Sequence, residues 1–182
     1  MAHSAERSGM NAVIEKILAT DAPADLGPGP REGVRSEAEI RQAMDSLKLD
    51  GVESELLLAL LLLWHDHHEP SHEIAQAIEN ADGSYVHAIL HRREPDYWNS
   101  KYWFRRVGAH PAYAELGQRV NEFLESRGER SLAAKLAPGG RWDAMSFVDA
   151  CEAAAKGSAE RTALLKEVQR IEFETLADYF QT

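Results

Sequence analysis

The feature that most restricts the fold of this chain is the segment from Leu56 to Trp64, which is apolar at every position. A segment that is apolar on all sides has to be enclosed by other elements, whereas a surface helix carries only one apolar stripe. Its nine residues are far fewer than the about 20 that a membrane-spanning helix needs. The segment therefore predicts a central core helix over residues 53–66, in a protein that has no membrane span.

The rest of the chain predicts more helices and no strands. Ser36 followed by Glu39 forms the pattern of a capping box, and Asp96 and Gly108 stand where a helix would begin and end. Apolar residues recur at helical spacing, and no strand-like alternation stands out. We therefore predict an all-α, single-domain bundle of about eight helices around the central one, a size that 182 residues can supply.

Proline and glycine divide the N-terminal part of the chain. Residues 1–20 predict a helical arm, because its apolar residues follow helical spacing. Residues 21–35 contain three of the seven prolines and three glycines, which predicts a linker. Residues 36–182 then form the helical domain. The arm would dock on the chain's own body or on another subunit, so a homo-oligomer is one alternative.

The overall composition excludes several classes of partner. A net charge of -10 argues against broad nucleic-acid binding and against binding to an anionic membrane surface. The single cysteine cannot form an internal disulfide, and the first residues lack the apolar core of a secretion signal. These observations predict a cytoplasmic protein.

Histidine, arginine and aromatic residues are concentrated in one region. Seven of the eight histidines fall between His65 and His110, and residues 85–104 hold six of the 14 aromatic residues. Residues 85–110 carry five basic and two acidic side chains, in a chain that is acidic overall. Solubility alone does not explain this clustering, so the region is where we expect a functional site.

His87 and His91 have the spacing of a metal-ligand pair on a helix. If the preceding helix packs against them, His72 supplies a third nitrogen, and three histidines leave a coordination position open for water. The predicted cofactor is therefore a zinc-like divalent metal, with Glu94 and Asp96 as the candidate catalytic base or as groups that orient a ligand. In the alternative interpretation, the histidines pack in a polar seam without a metal.

Two arginine pairs and their neighbours predict a pocket for a small anionic molecule. Arginine offers planar, bidentate donors to carboxylate or phosphate, and the interleaved aromatic rings can stack on a ligand. The predicted ligand-binding residues are Gln76, Arg92, Arg93, Tyr97, Asn99, Lys101, Tyr102, Arg105, Arg106 and His110. The alternative is that these arginines pair with the protein's surplus carboxylates and hold the bundle together.

One long block carries a resemblance to a known family. The stretch HAILHRREPDYWNSKYWFRRVGAHP, with SHEIAQ upstream, resembles the block of an uncharacterised family of soluble microbial proteins with SHxIxQ followed by HAIxHRRExDYxNxKYWFRRVGxHP. Every site residue predicted above falls on a matching position, as does Trp103, whereas Val86 and Trp98 depart from the family's pattern. The family has no established activity, so the resemblance implies a shared set of polar positions and no particular reaction.

Three functions fit the sequence. The first is a helical protein whose histidine, arginine and aromatic residues bind a small anionic ligand, together with a metal ion. The alternative is a metal-dependent, hydrolase-type enzyme that uses His87 and His91, with His72 as a third ligand. A second alternative is a structural or oligomerisation protein in which the same residues form a buried polar network.

Overall fold

A computed structural model describes residues 2–181, with side chains from residue 10 to residue 181, and the described chain is all-helical without a β-strand. The helices are α1 (Ala2–Leu18), α2 (Glu37–Leu47), α3 (Val52–Trp64), α4 (His68–Ala77), α5 (Ala81–Arg93), α6 (Tyr97–Val107), α7 (Tyr113–Ser126), α8 (Arg130–Leu136), α9 (Ala144–Ala154) and α10 (Ala159–Tyr179). A single 3-10 turn, Pro138–Gly140, lies between α8 and α9. The prediction of an all-α, single-domain bundle is confirmed, with more helices than expected.

Helix α3 is the centre of the bundle. Leu56, Leu57 and every residue from 59 to 64 are buried, and α3 packs against α2, α4, α5 and α10. Fully burying one leucine side chain contributes roughly 1.5–3 kcal/mol, so this single helix supplies much of the driving force for folding. No helix within residues 2–181 has both the length and the hydropathy that crossing a bilayer requires.

Helix α4 begins earlier than the sequence indicates. Pro70 and Ser71 predict the end of one helix and the cap of the next, but the structure starts α4 at His68, with His67 as its N-cap. Pro70 lies in the first turn, where its missing N–H would have no partner in any case. Ser71 lies in the second turn, and its buried hydroxyl donates to the Ala59 carbonyl at 2.8 Å. This contact fixes α4 against α3.

Helix α5 is enclosed although its sequence is polar. Ten of its 13 residues are buried, and Asn80 caps its N-terminus by accepting from the Gly83 N–H at 2.7 Å. Asp82-Gly83 predicts a turn, but both residues belong to the helix. Gly83 is required for close approach, since a Cβ atom there would lie 2.1 Å from the Ile78 carbonyl oxygen. The end of α4 and the first turn of α5 therefore pack closely, so side chains on the facing surfaces of these two helices lie near one another.

The N-terminal segments pack on the body of the same chain. Helix α1 contacts α2, α3 and α10, and Ile14 and Ile17 are buried. The 21–35 segment, predicted as a linker, also lies on this surface, with Ala24 fully buried and Leu26 8% exposed. In the described residues the arm and the linker are therefore part of the domain's wall.

His65 joins these segments to the core. Its Nε2 bonds to the Ile17 carbonyl at 2.9 Å, and its Nδ1 accepts from the Arg35 N–H at 3.1 Å. The Nδ1 contact needs the neutral ring, because a protonated ring has no acceptor nitrogen. Burial, together with the Arg31, Arg35 and His67 side chains, lowers the pKa of His65 to about 4.

The free energy of unfolding is therefore expected to fall as the pH is lowered from about 6.5 toward the His65 pKa of about 4. In this interval the unfolded chain binds a proton at residue 65 and the folded chain does not, which favours unfolding. Urea unfolding at several pH values should show a shallower decline for His65→Gln, whose amide keeps a donor and an acceptor without titrating. Equal pH slopes in the two proteins would contradict this role.

Candidate metal site

Three histidines converge between α4 and α5, as the sequence predicts. Nitrogens of His72, His87 and His91 all lie within 4.8 Å of one another. The Nε2 atoms of His72 and His87 are 2.8 Å apart, and the rings of His87 and His91 stack with centroids 4.7 Å apart. Two nitrogens bound to one zinc ion lie about 3.4 Å apart. This distance falls between the 2.8 Å that separates the Nε2 atoms of His72 and His87 and the 4.8 Å within which all three nitrogens lie. Small side-chain movements would therefore place all three nitrogens on one ion.

The surroundings keep the His87 and His91 rings in the form that binds metals. Burial, with the neighbouring His91 and His72 rings, lowers the pKa of His87 to about 3. Burial also lowers the pKa of His91, against the opposing effect of the Glu94 carboxylate. A neutral imidazole is the ligand form of histidine, because protonation removes the free lone pair. At neutral pH His87 therefore does not carry the second proton that a metal would have to displace.

Glu94 and Asn99 orient His91. The Nδ1 of His91 is 3.0 Å from the Glu94 carboxylate, and its Nε2 is 3.2 Å from the Asn99 side-chain amide nitrogen. A carboxylate on one imidazole nitrogen is common among metal-binding histidines and fixes the ring. A metal at the other nitrogen of His91 would replace its contact with the Asn99 amide. Glu94, predicted as a catalytic residue, is thus placed beside a candidate ligand, where it can position that ligand's ring.

Trp103 forms a wall of the histidine cluster, a role that the predicted set of site residues does not include. Its ring stacks on His87 with centroids 4.0 Å apart at 20°, and the Arg106 guanidinium lies 5.1 Å from the Trp103 ring centroid. Asn99, Trp103 and Arg106 are three and four positions apart, so they share one face of α6. That periodicity with Asn99 is the sequence signal that identifies Trp103.

The prediction that Arg92 binds a ligand is corrected by its complete burial. Its guanidinium donates to both oxygens of Glu172, at 3.2 and 2.5 Å, and to the Gln169 side-chain oxygen at 3.3 Å. The Tyr85 hydroxyl also donates to Glu172, at 3.3 Å. Although burial opposes the charged form, the Glu172 carboxylate raises the pKa of Arg92. Arg92 is therefore half of an internal ion pair between α5 and α10.

Arg93 is likewise internal, so its predicted ligand-binding role is also corrected. It pairs with Asp66 at 2.6 Å and donates to the carbonyl oxygens of Leu63, Asp25 and Gly27. This one guanidinium ties the end of α3 to the 21–35 segment. For both buried arginines the structure favours the alternative that the sequence left open, pairing with the protein's own carboxylates.

The other predicted residues are dispersed. Asp96, predicted as catalytic, caps α6 by accepting from the Asn99 N–H, and His110 bonds to Asp82 at 2.7 Å. Lys101 pairs with Asp149 at the surface. The remaining positions are the exposed side chains of Gln76, Tyr102 and Arg105, and the half-buried Tyr97. Of the predicted set, the structure gathers His72, His87, His91, Glu94 and Asn99 around one point, and Arg106 contacts the Trp103 ring beside them.

Comparisons with protein-family models, with curated proteins and with solved structures found no match to this chain. The interpretation of the histidine cluster therefore rests on its own geometry and chemistry.

Proposed function

We propose that this protein binds a divalent transition-metal ion, zinc in the first place, through His72, His87 and His91. The observation that carries the proposal is the convergence of three imidazole nitrogens within 4.8 Å, from two helices that pack together. Three nitrogen ligands suit zinc and related metals, whereas calcium and magnesium prefer oxygen.

The proposed ion keeps one coordination position for a small ligand. Zinc in functional sites is commonly held by three protein ligands, with water or an anionic group at the fourth position. The three imidazoles carry no charge, so the doubly charged ion would attract an anion. The anionic ligand predicted from the sequence is thus proposed to bind at the metal, without Arg92 and Arg93.

Metal-dependent hydrolysis is the second candidate, and the open coordination position favours it. The two carboxylates predicted as its catalytic base already have partners, since Glu94 bonds to His91 and Asp96 caps α6. Zinc-dependent hydrolysis of p-nitrophenyl acetate that is lost in His72→Ala would support the enzyme. The same rate in both proteins would leave metal binding without hydrolysis as the function.

Titration of the metal-free protein with Co2+ tests the proposed site. We expect one ion to bind per chain, with the visible absorption of a tetrahedral cobalt centre, and zinc to displace it. His72→Ala should lose this spectrum, because two imidazoles remain where three are needed. His72 is partly exposed, so this substitution leaves the core intact.

His67→Ala is the matched control. His67 lies outside the cluster, with its Nε2 bonded to the Arg35 carbonyl at 2.8 Å. It should retain the stoichiometry and the spectrum of the unaltered protein. If His67→Ala and His72→Ala bind cobalt equally well, the proposed site is wrong.

A further inference from the structure

A cleft distinct from the histidine cluster lies where the end of α6 meets the start of α7 and the segment before α9. Its volume is about 480 Å³, within the roughly 300–1,000 Å³ of small-molecule sites. Arg105 and Arg141 lie on its wall together with Phe104, Tyr113 and Trp142. None of these belongs to the histidine cluster or to the buried arginine pairs.

Neither arginine of this cleft forms an ion pair with a carboxylate of the described residues. Both side chains are exposed, and Arg141 donates to the His110 carbonyl oxygen at 3.4 Å rather than to a carboxylate. Asp143 also lines the cleft and offsets one of the two positive charges, while its oxygens accept from the backbone and the hydroxyl of Ser146, each at 3.0 Å. The cleft is therefore locally basic in a chain of net charge -10.

The same cleft has an aromatic wall. Phe104 and Trp142 are each 3% exposed, and Tyr113 is 7% exposed. The Arg141 guanidinium lies 5.9 Å from the Tyr113 ring centroid. The buried Trp142 Nε1–H has no hydrogen-bond partner among the described residues. This nitrogen is enclosed, so its N–H reports on contacts to the indole and is not itself a donor that a ligand in the cleft can reach.

We propose that this cleft binds a small aromatic anion, a carboxylate or phosphate carried on a single ring. Arg105 and Arg141 provide the charged donors for the anionic group, since guanidinium groups bind both anions through paired hydrogen bonds. The aromatic wall packs against the ring of the ligand. The proposal is independent of metal binding by the histidines.

Titration of the metal-free protein with benzoate and with phenyl phosphate tests the cleft. The probe signal is the indole N–H resonance of Trp142, identified by its loss in Trp142→Phe. We expect a saturable shift with a dissociation constant of about 1 mM or below for at least one of the two probes, and the stronger probe distinguishes carboxylate from phosphate. Benzyl alcohol, which keeps the ring without the charge, should give no saturable shift.

Arginine variants then separate a specific site from general attraction. Arg105→Ala and Arg141→Ala should each weaken binding about tenfold or more, the loss of ~1.4 kcal/mol or more that removing a charged hydrogen bond produces. Arg130→Ala removes one exposed positive charge from α8, outside the cleft, and should bind as the unaltered protein does. Ala109→Leu adds bulk to the wall without changing charge, and should also weaken binding.

Several results would overturn the proposal. These are no saturable shift with either aromatic anion, equal weakening by Arg130→Ala and Arg141→Ala, or inorganic phosphate binding as tightly as phenyl phosphate. His72→Ala should bind the aromatic probes normally, so failure of the metal site and failure of the cleft are distinguishable.

Discussion

Glu172→Ala is expected to destabilise the protein by about 3–5 kcal/mol, the typical cost of removing one partner of a buried ion pair. The Arg92 guanidinium is fully buried and would lose both of its bonds to a carboxylate. The Tyr85 hydroxyl would lose its acceptor at the same time. The measurement is the free energy of unfolding from urea denaturation followed by circular dichroism.

Two further variants make this result interpretable. Arg92→Met combined with Glu172→Leu removes both charges, and it should be clearly more stable than Glu172→Ala because no buried charge is left alone. Arg41→Ala breaks an exposed pair, Arg41–Glu37, and should cost only about 0.3–0.5 kcal/mol. If the double variant is as unstable as Glu172→Ala, the unpaired charge is not the cause of the loss.

Glu94→Ala is expected to lower the affinity for zinc by about 10–100-fold, the usual effect of removing a group that orients a metal-binding histidine. His91→Ala should lower the affinity further, since it removes a ligand nitrogen itself. Zinc affinity should therefore rise from His91→Ala to Glu94→Ala to the unaltered protein, because Glu94 acts through its bond of 3.0 Å to His91. Competition with a chromophoric chelator measures the three affinities.

Glu73→Ala controls for the lost negative charge. Glu73 is exposed on α4, next to His72 in sequence, and no hydrogen bond ties it to the cluster. Its replacement should leave the zinc affinity within a small factor of the original. Equal losses in Glu73→Ala and Glu94→Ala would mean that Glu94 acts only through general electrostatic attraction.

The parts of the fold that the sequence predicts are those governed by nearby residues. The apolar run of α3 has to be buried in the core when the chain folds in water, and it is. The capping box of Ser36 and Glu39 is formed as the pattern predicts. The start of α4 is less readable, because Pro70 is compatible with the end of one helix and with the first turn of the next. The buried Ser71 contact to Ala59 is tertiary, and no local pattern reports it.

The site shows the same limit at longer range. His87 and His91 share a helix face by spacing alone, and His72 follows once α4 is packed on α5. The partner of Arg92 is 80 positions away, one of 30 acidic residues, so sequence reasoning cannot select it. Helix α6 has aromatic residues on several sides, so aromatic character alone does not separate Trp98, 74% exposed, from the inward-facing Trp103, and only the spacing from Asn99 does.

The enclosure of α5 has a consequence for how the molecule opens. Amide protons of a helix surrounded by the core exchange with solvent only when most of the structure unfolds, whereas loosely packed segments exchange by local fluctuations. Helix α5 also carries His87 and His91. A metal ion held there would stabilise the folded state by mass action. Binding of a metal ion at His87 and His91 would then slow deuterium uptake throughout α5, including the turn that holds Arg92.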